Sequence, residues 1–147
     1  ETEPFIEVPL FNEKMLLAVS ETHPWAKEET IPMSMLKDRE MLMLDDGHCL
    51  RNQALGYCFT AGAKENSHYQ ATSLETLRNM VAANAGMTLM PELAVLSEGE
   101  RGGVKYLPCK PEPSRDVILV YRPGSPLRAR YERIAEAIAN SVKSILS

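Results

Sequence analysis

Four short apolar runs, Met15-Leu16-Leu17-Ala18-Val19, Met41-Leu42-Met43-Leu44, Met87-Thr88-Leu89-Met90 and residues 117–121, are separated by stretches of helical periodicity, and this alternation constrains the chain more than any other feature. A run of four or five apolar residues without polar alternation reads as a strand buried on both faces. Between the third of these runs and the one before it, residues 74–85 place Leu74, Leu77, Met80 and Val81 on one face, behind Ser73 as cap and ahead of Gly86 as terminator. Residues 125–147 repeat the pattern, with Ser125 as cap, Pro126 in the first turn, and Leu127, Tyr131, Ile134, Ile138, Val142 and Ile145 on one stripe. Further strands are expected at residues 6–10, separated from the run at 15 by the break Asn12-Glu13-Lys14, and at 68–72 and 104–107. Strands alternating with helices predict an α/β fold with a sheet of mainly parallel strands.

Composition narrows the function classes. With 147 residues, 44% hydrophobic and 24% charged, the chain is expected to form a soluble globular domain with one ordinary core. No apolar run approaches the roughly 18 residues that span a bilayer, and the acidic start Glu1-Thr2-Glu3-Pro4 is unlike a basic secretory leader, so no membrane contact and a cytoplasmic location are expected. A net charge of −4 opposes duplex binding by phosphate neutralisation. The cluster Arg128, Arg130 and Arg133 alternates with Glu132 and Glu136, which fits a solvated helix face.

Three cysteines, odd in number and widely spaced, do not form a secreted disulfide framework. Cys49 and Cys58 lie in the run Asp45-Asp46-Gly47-His48-Cys49-Leu50-Arg51-Asn52-Gln53-Ala54-Leu55-Gly56-Tyr57-Cys58-Phe59, which Leu50, Ala54 and Leu55 suggest is helical. A turn of about 100° per residue then puts the two cysteines on opposite faces, with roughly 13.5 Å of rise between them. A disulfide needs Cα atoms within about 4.4 to 6.8 Å, so joining the pair requires the helix to unwind. Asp46 as cap would place Cys49 in the first turn, where free amides and the helix dipole favour a thiolate. His48 adds to that effect; Asp45 and Asp46 oppose it. Cysteines in a domain of this kind are more often core residues than reactive ones, and Cys109, at a strand end, is read that way. His48, Cys49, Cys58 and His68 lack the two-to-four-residue pairing usual in zinc sites, so no metal and no cofactor are expected. The methionines at 33, 35, 41 and 43 read as core filling, and His23 as a loop residue.

The block His48-Cys49-Leu50-Arg51 with a second cysteine nine residues after the first resembles the redox switch of the OxyR family of peroxide-sensing LysR-type regulators. The resemblance runs almost end to end. It includes Glu7-Val8-Pro9-Leu10-Phe11, His23-Pro24-Trp25-Ala26, Met43-Leu44-Asp45-Asp46-Gly47-His48-Cys49, Tyr106-Leu107-Pro108-Cys109 and Val120-Tyr121-Arg122-Pro123-Gly124-Ser125-Pro126-Leu127-Arg128. It departs from the family at Asn52, where an acidic residue is common, and mildly at Tyr57.

The resemblance implies a periplasmic-binding-protein-like effector domain with part of subdomain I missing: residues 13–117 as subdomain II carrying the switch, 1–12 and 118–147 as pieces of subdomain I, and no winged helix-turn-helix in this chain. Apolar surface on the terminal helix is then expected to be exposed. It further implies that Cys49 is the peroxide-reactive thiol and Cys58 the resolving thiol, with His48, His68 and Arg115 near the reactive sulfur. Its implied partners are hydrogen peroxide, further copies of the chain in a dimer or tetramer, a thiol reductant such as glutaredoxin, and promoter DNA and RNA polymerase through the full-length protein. Two alternatives stay open at this level: a module sensing a small organic ligand in the inter-subdomain cleft, which Thr72 and Ser73 would face, and a thiol peroxidase.

Overall fold

The computed structural model describes residues 4–45, 49–97 and 102–146, apart from the side chains of Cys49 and Ser67. Its first strand, β1 (Ile6–Ser20), runs unbroken where two strands are expected. The polar break fails to interrupt it because each polar side chain finds a partner. Asn12 donates from Nδ2 to Asp116 Oδ1 at 2.9 Å, and the fully buried Glu13 accepts from both Nε and Nη2 of Arg115 at 2.8 Å. Lys14 reaches Glu92 at 3.6 Å.

The other elements are β2 (Ile31–Pro32), β3 (Glu40–Leu44), α1 (Cys49–Thr60), β4 (Lys64–Ala71), α2 (Leu74–Ala82), β5 (Thr88–Pro91), α3 (Glu92–Ser97), β6 (Val104–Leu107), β7 (Cys109–Lys110), β8 (Ser114–Tyr121) and α4 (Arg128–Leu146), with 3-10 turns at Pro24–Lys27 and Met33–Leu36. They divide into two compact units, Glu1–Glu13 with Ser114–Ser147, and Lys14–Pro113.

In the larger unit the strands pair in both senses and in separate sheets, which corrects the single, mainly parallel sheet expected. β1 pairs antiparallel with β5 (Leu17↔Leu89) and with β6 (Leu17↔Leu107), whereas β3 pairs parallel with β4 and β2 with β7. Leu42 donates its amide to Met87 O at 2.8 Å, and Thr88 Oγ1 donates to Leu42 O at 2.8 Å, joining β3 to the entry of β5. Alternation of strands and helices predicts parallel pairing only where a helix is the crossover. That holds for β3-α1-β4, while β1 enters the sheet in the opposite sense. The core is built from the apolar runs: Met15, Leu17, Met41, Leu42, Met43, Leu89, Met90 and Leu107 are all buried, but Met35 is exposed.

α2 starts where expected, Ser73 Oγ accepting from the Thr76 amide at 3.1 Å. It ends at Ala82, earlier than the sequence suggests, and the left-handed residue that follows is Asn84 (φ 61°). Gly86 has another reason to be glycine: a Cβ there would lie 2.8 Å from Leu42 Cγ on β3.

In the smaller unit β8 pairs with β1, and α4 packs on β8, with the Tyr121 and Tyr131 rings 5.3 Å apart. α4 begins at Arg128, after Ser125 has capped the preceding turn through the Leu127 amide. Only part of the apolar stripe is covered: Ala135 and Val142 are buried, and Leu127, Ile134 and Ile145 are exposed. Arg128 pairs with Glu132 at 3.0 Å on the solvated face.

A Gly86→Ala substitution should destabilise the larger unit by about 1 to 3 kcal/mol, since Leu42 is packed on all sides. Urea unfolding of the variant beside the parent chain measures this.

Candidate functional site

α1 is the crossover of the parallel β3-α1-β4 unit, and it packs on both strands. Leu50, Ala54 and Cys58, spaced four apart, form its buried edge at 8%, 4% and 1% exposure. This spacing is what makes the segment a helix, and it carries Cys58 into the core. Cys49 opens the same helix, so the two cysteine backbones are separated by roughly 13.5 Å of helical rise. Cys58 is a free thiol. Burial, with a smaller contribution from the nearby Cys109 thiol, pushes it up to about 12. Cys109 is likewise buried and pushed up to about 11.

The second half of α1 is poorly suited to remain helical. Gly56 has nothing within 4 Å of where a Cβ would sit, and the Gly-Tyr-Cys-Phe-Thr run has low helix propensity. Gln53 Oε1 is buried without a hydrogen-bond partner among the described residues, a cost the helical arrangement carries. Beyond the outer face of α1 lies an open groove of about 680 Å³, which Asn52, Gly56 and Tyr57 help to line. The segment therefore has space to move into.

β4 contains the other unusual feature. Along β3 the ladder advances two residues, Met41 to Met43, while β4 advances from Glu65 to Gln70. The surplus residues form a bulge, and a buried asparagine shapes it: Asn66 Oδ1 accepts the amides of His68 (2.9 Å) and Tyr69 (3.2 Å). His68 is thus held on an exposed bulge, its ring edge-on to Tyr69 at 6.5 Å.

Arg51 connects the helix to this bulge. Its guanidinium donates to both Glu65 oxygens at 2.7 Å and to Leu44 O at 3.1 Å, and Gln70 Nε2 donates to Glu65 Oε2 at 3.0 Å. The Arg51 hydrogen bond holds the Glu65 carboxyl below its ordinary range. The sequence pattern singles out Arg51 only as part of a motif and leaves Glu65 in a polar stretch ahead of the strand expected at 68–72. The signal it lacked was the Asx turn at Asn66, which makes a polar stretch compatible with a strand.

Among the remaining sequence-predicted residues, His48 and the expected cap Asp46 lie outside the described residues. Arg115 sits on β8 in the other unit, where its guanidinium is engaged by Glu13. His23 caps the first 3-10 turn, Nδ1 accepting from the Trp25 amide at 3.0 Å.

A long first strand, strands paired in both senses and a crossover helix that begins at one cysteine and buries another define a small α/β domain. Residues 1–143 match the family model of the LysR substrate binding domain. The chain belongs to that family, and within it to the OxyR group. It is 78% identical over 147 residues, 99% of its length, to a hydrogen peroxide-inducible genes activator of Haemophilus influenzae, of which it covers 49%. It superposes on the crystal structure of the oxidised form of OxyR with a TM-score of 0.83 at 62% identity, covering 99% of this chain and 69% of that one. For the reduced form the TM-score is 0.81 at 60% identity, covering 92% and 64%. The chain thus spans about half the length of the curated relatives it matches.

A thiol at about 12 is almost wholly protonated at pH 8, so in a Cys49→Ser variant Cys58 should react with iodoacetamide about 1,000-fold slower when folded than in urea. Peptide mapping distinguishes it from Cys109. Because the folded value lies above the ordinary value of 9.0, the stabilisation from this thiol is complete below pH 9 and is lost as pH rises toward 12. Unfolding of the parent chain should accordingly become easier across that window, and less steeply so in Cys58→Ala.

Proposed function

We propose that this chain is the redox-sensing regulatory domain of a peroxide-responsive transcription factor. The Cys49 thiolate attacks hydrogen peroxide, one oxygen passes to sulfur as a sulfenic acid, and the other leaves as water after taking up a proton. The Cys58 thiol then attacks the oxidised sulfur, forming the Cys49–Cys58 disulfide and releasing a second water. A thiol reductant returns both cysteines to the thiol state.

The observation that carries this reading is the placement of Cys58: a free thiol on the core face of the helix that Cys49 begins. Cys58 is hidden and protonated in the helical state, so the second step requires the helix to open before the sulfurs meet. The chemistry is in this way coupled to a refolding event, which is what a sensor requires and a fast peroxidase does not. Similarity to peroxide-inducible activators supports the same reading. In the full-length protein the refolded segment, which includes the exposed Phe59, alters packing between copies and so the hold on promoter DNA and RNA polymerase.

Stoichiometric peroxide should convert the reduced chain to a species with a Cys49–Cys58 disulfide by mass spectrometry, and circular dichroism should show helix loss. A persistent Cys49 sulfenic acid beside a free Cys58 overturns the mechanism. Gly56→Ala, which strengthens the helix by about 1 kcal/mol, should slow the second step about fivefold and leave the first unchanged. Quenched-flow trapping of the sulfenic acid separates the two rates.

A further inference from the structure

We infer that Arg51, Glu65 and Gln70 form a clamp that fixes the N-terminal half of α1 to the neck of the β4 bulge and sets the rate at which Cys58 reaches an oxidised Cys49. This inference rests on the disulfide reading above and adds positioning residues to it.

Arg51 is two residues from Cys49, inside the segment that must unwind. Its partners belong to the sheet. Glu65 pairs with Met41, Gln70 pairs with Met43, and Leu44 O ends β3, so the guanidinium is tied to the sheet at Glu65 and at Leu44 O, with Gln70 bracing the Glu65 carboxylate. The geometry is bidentate, with both contacts at 2.7 Å, and the two side chains are only 13% and 20% exposed. A shielded fork of this kind holds far better than a surface pair. Apart from the core packing of Leu50, Ala54 and Cys58, little in α1 favours the helix: Gly56, the Gln53 oxygen without a partner among the described residues and the weak helix formers after it all oppose it. Bringing the cysteine Cα atoms from roughly 13.5 Å to within about 6.8 Å means either releasing Arg51 or dragging it from Glu65. The clamp also closes the base of the bulge that carries His68, so its release loosens helix and bulge together.

The test uses the 147-residue chain, reduced and mixed with stoichiometric hydrogen peroxide. Sulfenic acid trapping by dimedone reports the first step, and acid-quenched mass spectrometry reports the disulfide. Glu65→Gln should leave the first rate within about twofold and raise the second about fivefold or more. Gln70→Ala, at an exposed position that removes only the supporting bond, should raise the second rate by a smaller factor. Charge reversal gives the discriminating result: Arg51→Glu should give fast closure, and Arg51→Glu combined with Glu65→Arg should return toward the parental rate. A general loss of stability predicts no such rescue. Equal second-step rates in the parent, Glu65→Gln and Gln70→Ala chains, all folded by circular dichroism, overturn the clamp and leave the disulfide reading standing. If the parent chain forms no Cys49–Cys58 bond, both fall.

Discussion

The packing of Leu50, Ala54 and Cys58 against β3 and β4 is the contact on which the site depends. It makes the crossover between two parallel strands a helix, and one of the three helical positions buried among the described residues carries a thiol. The cysteine keeps the helix attached to the core, and in the mechanism proposed above the same sulfur forms a covalent bond elsewhere once the helix opens.

Stability around this contact is distributed unevenly. The strands beneath α1 are anchored by fully buried Met41, Leu42 and Leu89 and by the bonds from Leu42 to Met87 and from Thr88 to Leu42. The helix above them has a glycine, an unsatisfied amide oxygen and an open groove on its outer side. Local opening at a cost well below global unfolding is what such a contrast produces. The rigid part of the unit determines what stays fixed; the polar fork at Arg51 acts at the boundary between the two.

Much of this was readable from the amino acids, and the failures share a cause. The buried strands of residues 15–19, 41–44 and 87–90 and the helix after Ser73 follow from local apolar patterning, which is strong in each. α1 follows from Leu50, Ala54 and Leu55. Strand direction did not follow, because pairing of Leu17 with Leu89 and Leu107 is settled by contacts far apart in sequence. The unbroken β1 depends on Arg115 satisfying Glu13, a partner 102 positions away. β4 was recognised only from His68 onward, since Lys64-Glu65-Asn66-Ser67 is polar and its extended state rests on the Asn66 turn and the Arg51 fork. Polar residues that hold a fold through one long-range partner leave no periodic trace.

The bulge in β4 has a geometric consequence of its own. Side chains alternate sides along a pleated strand, so Glu65 and Gln70, an odd number of steps apart, would point in opposite directions on a regular ladder. Their partners Met41 and Met43 share a side, and the surplus residues restore the same parity on β4. Both polar groups therefore meet above one surface of the sheet, where the guanidinium waits. The side on which Gln70 points is thus set by its pairing with Met43, and the bulge absorbs the surplus residues so that Gln70 comes to stand beside Glu65 and brace it.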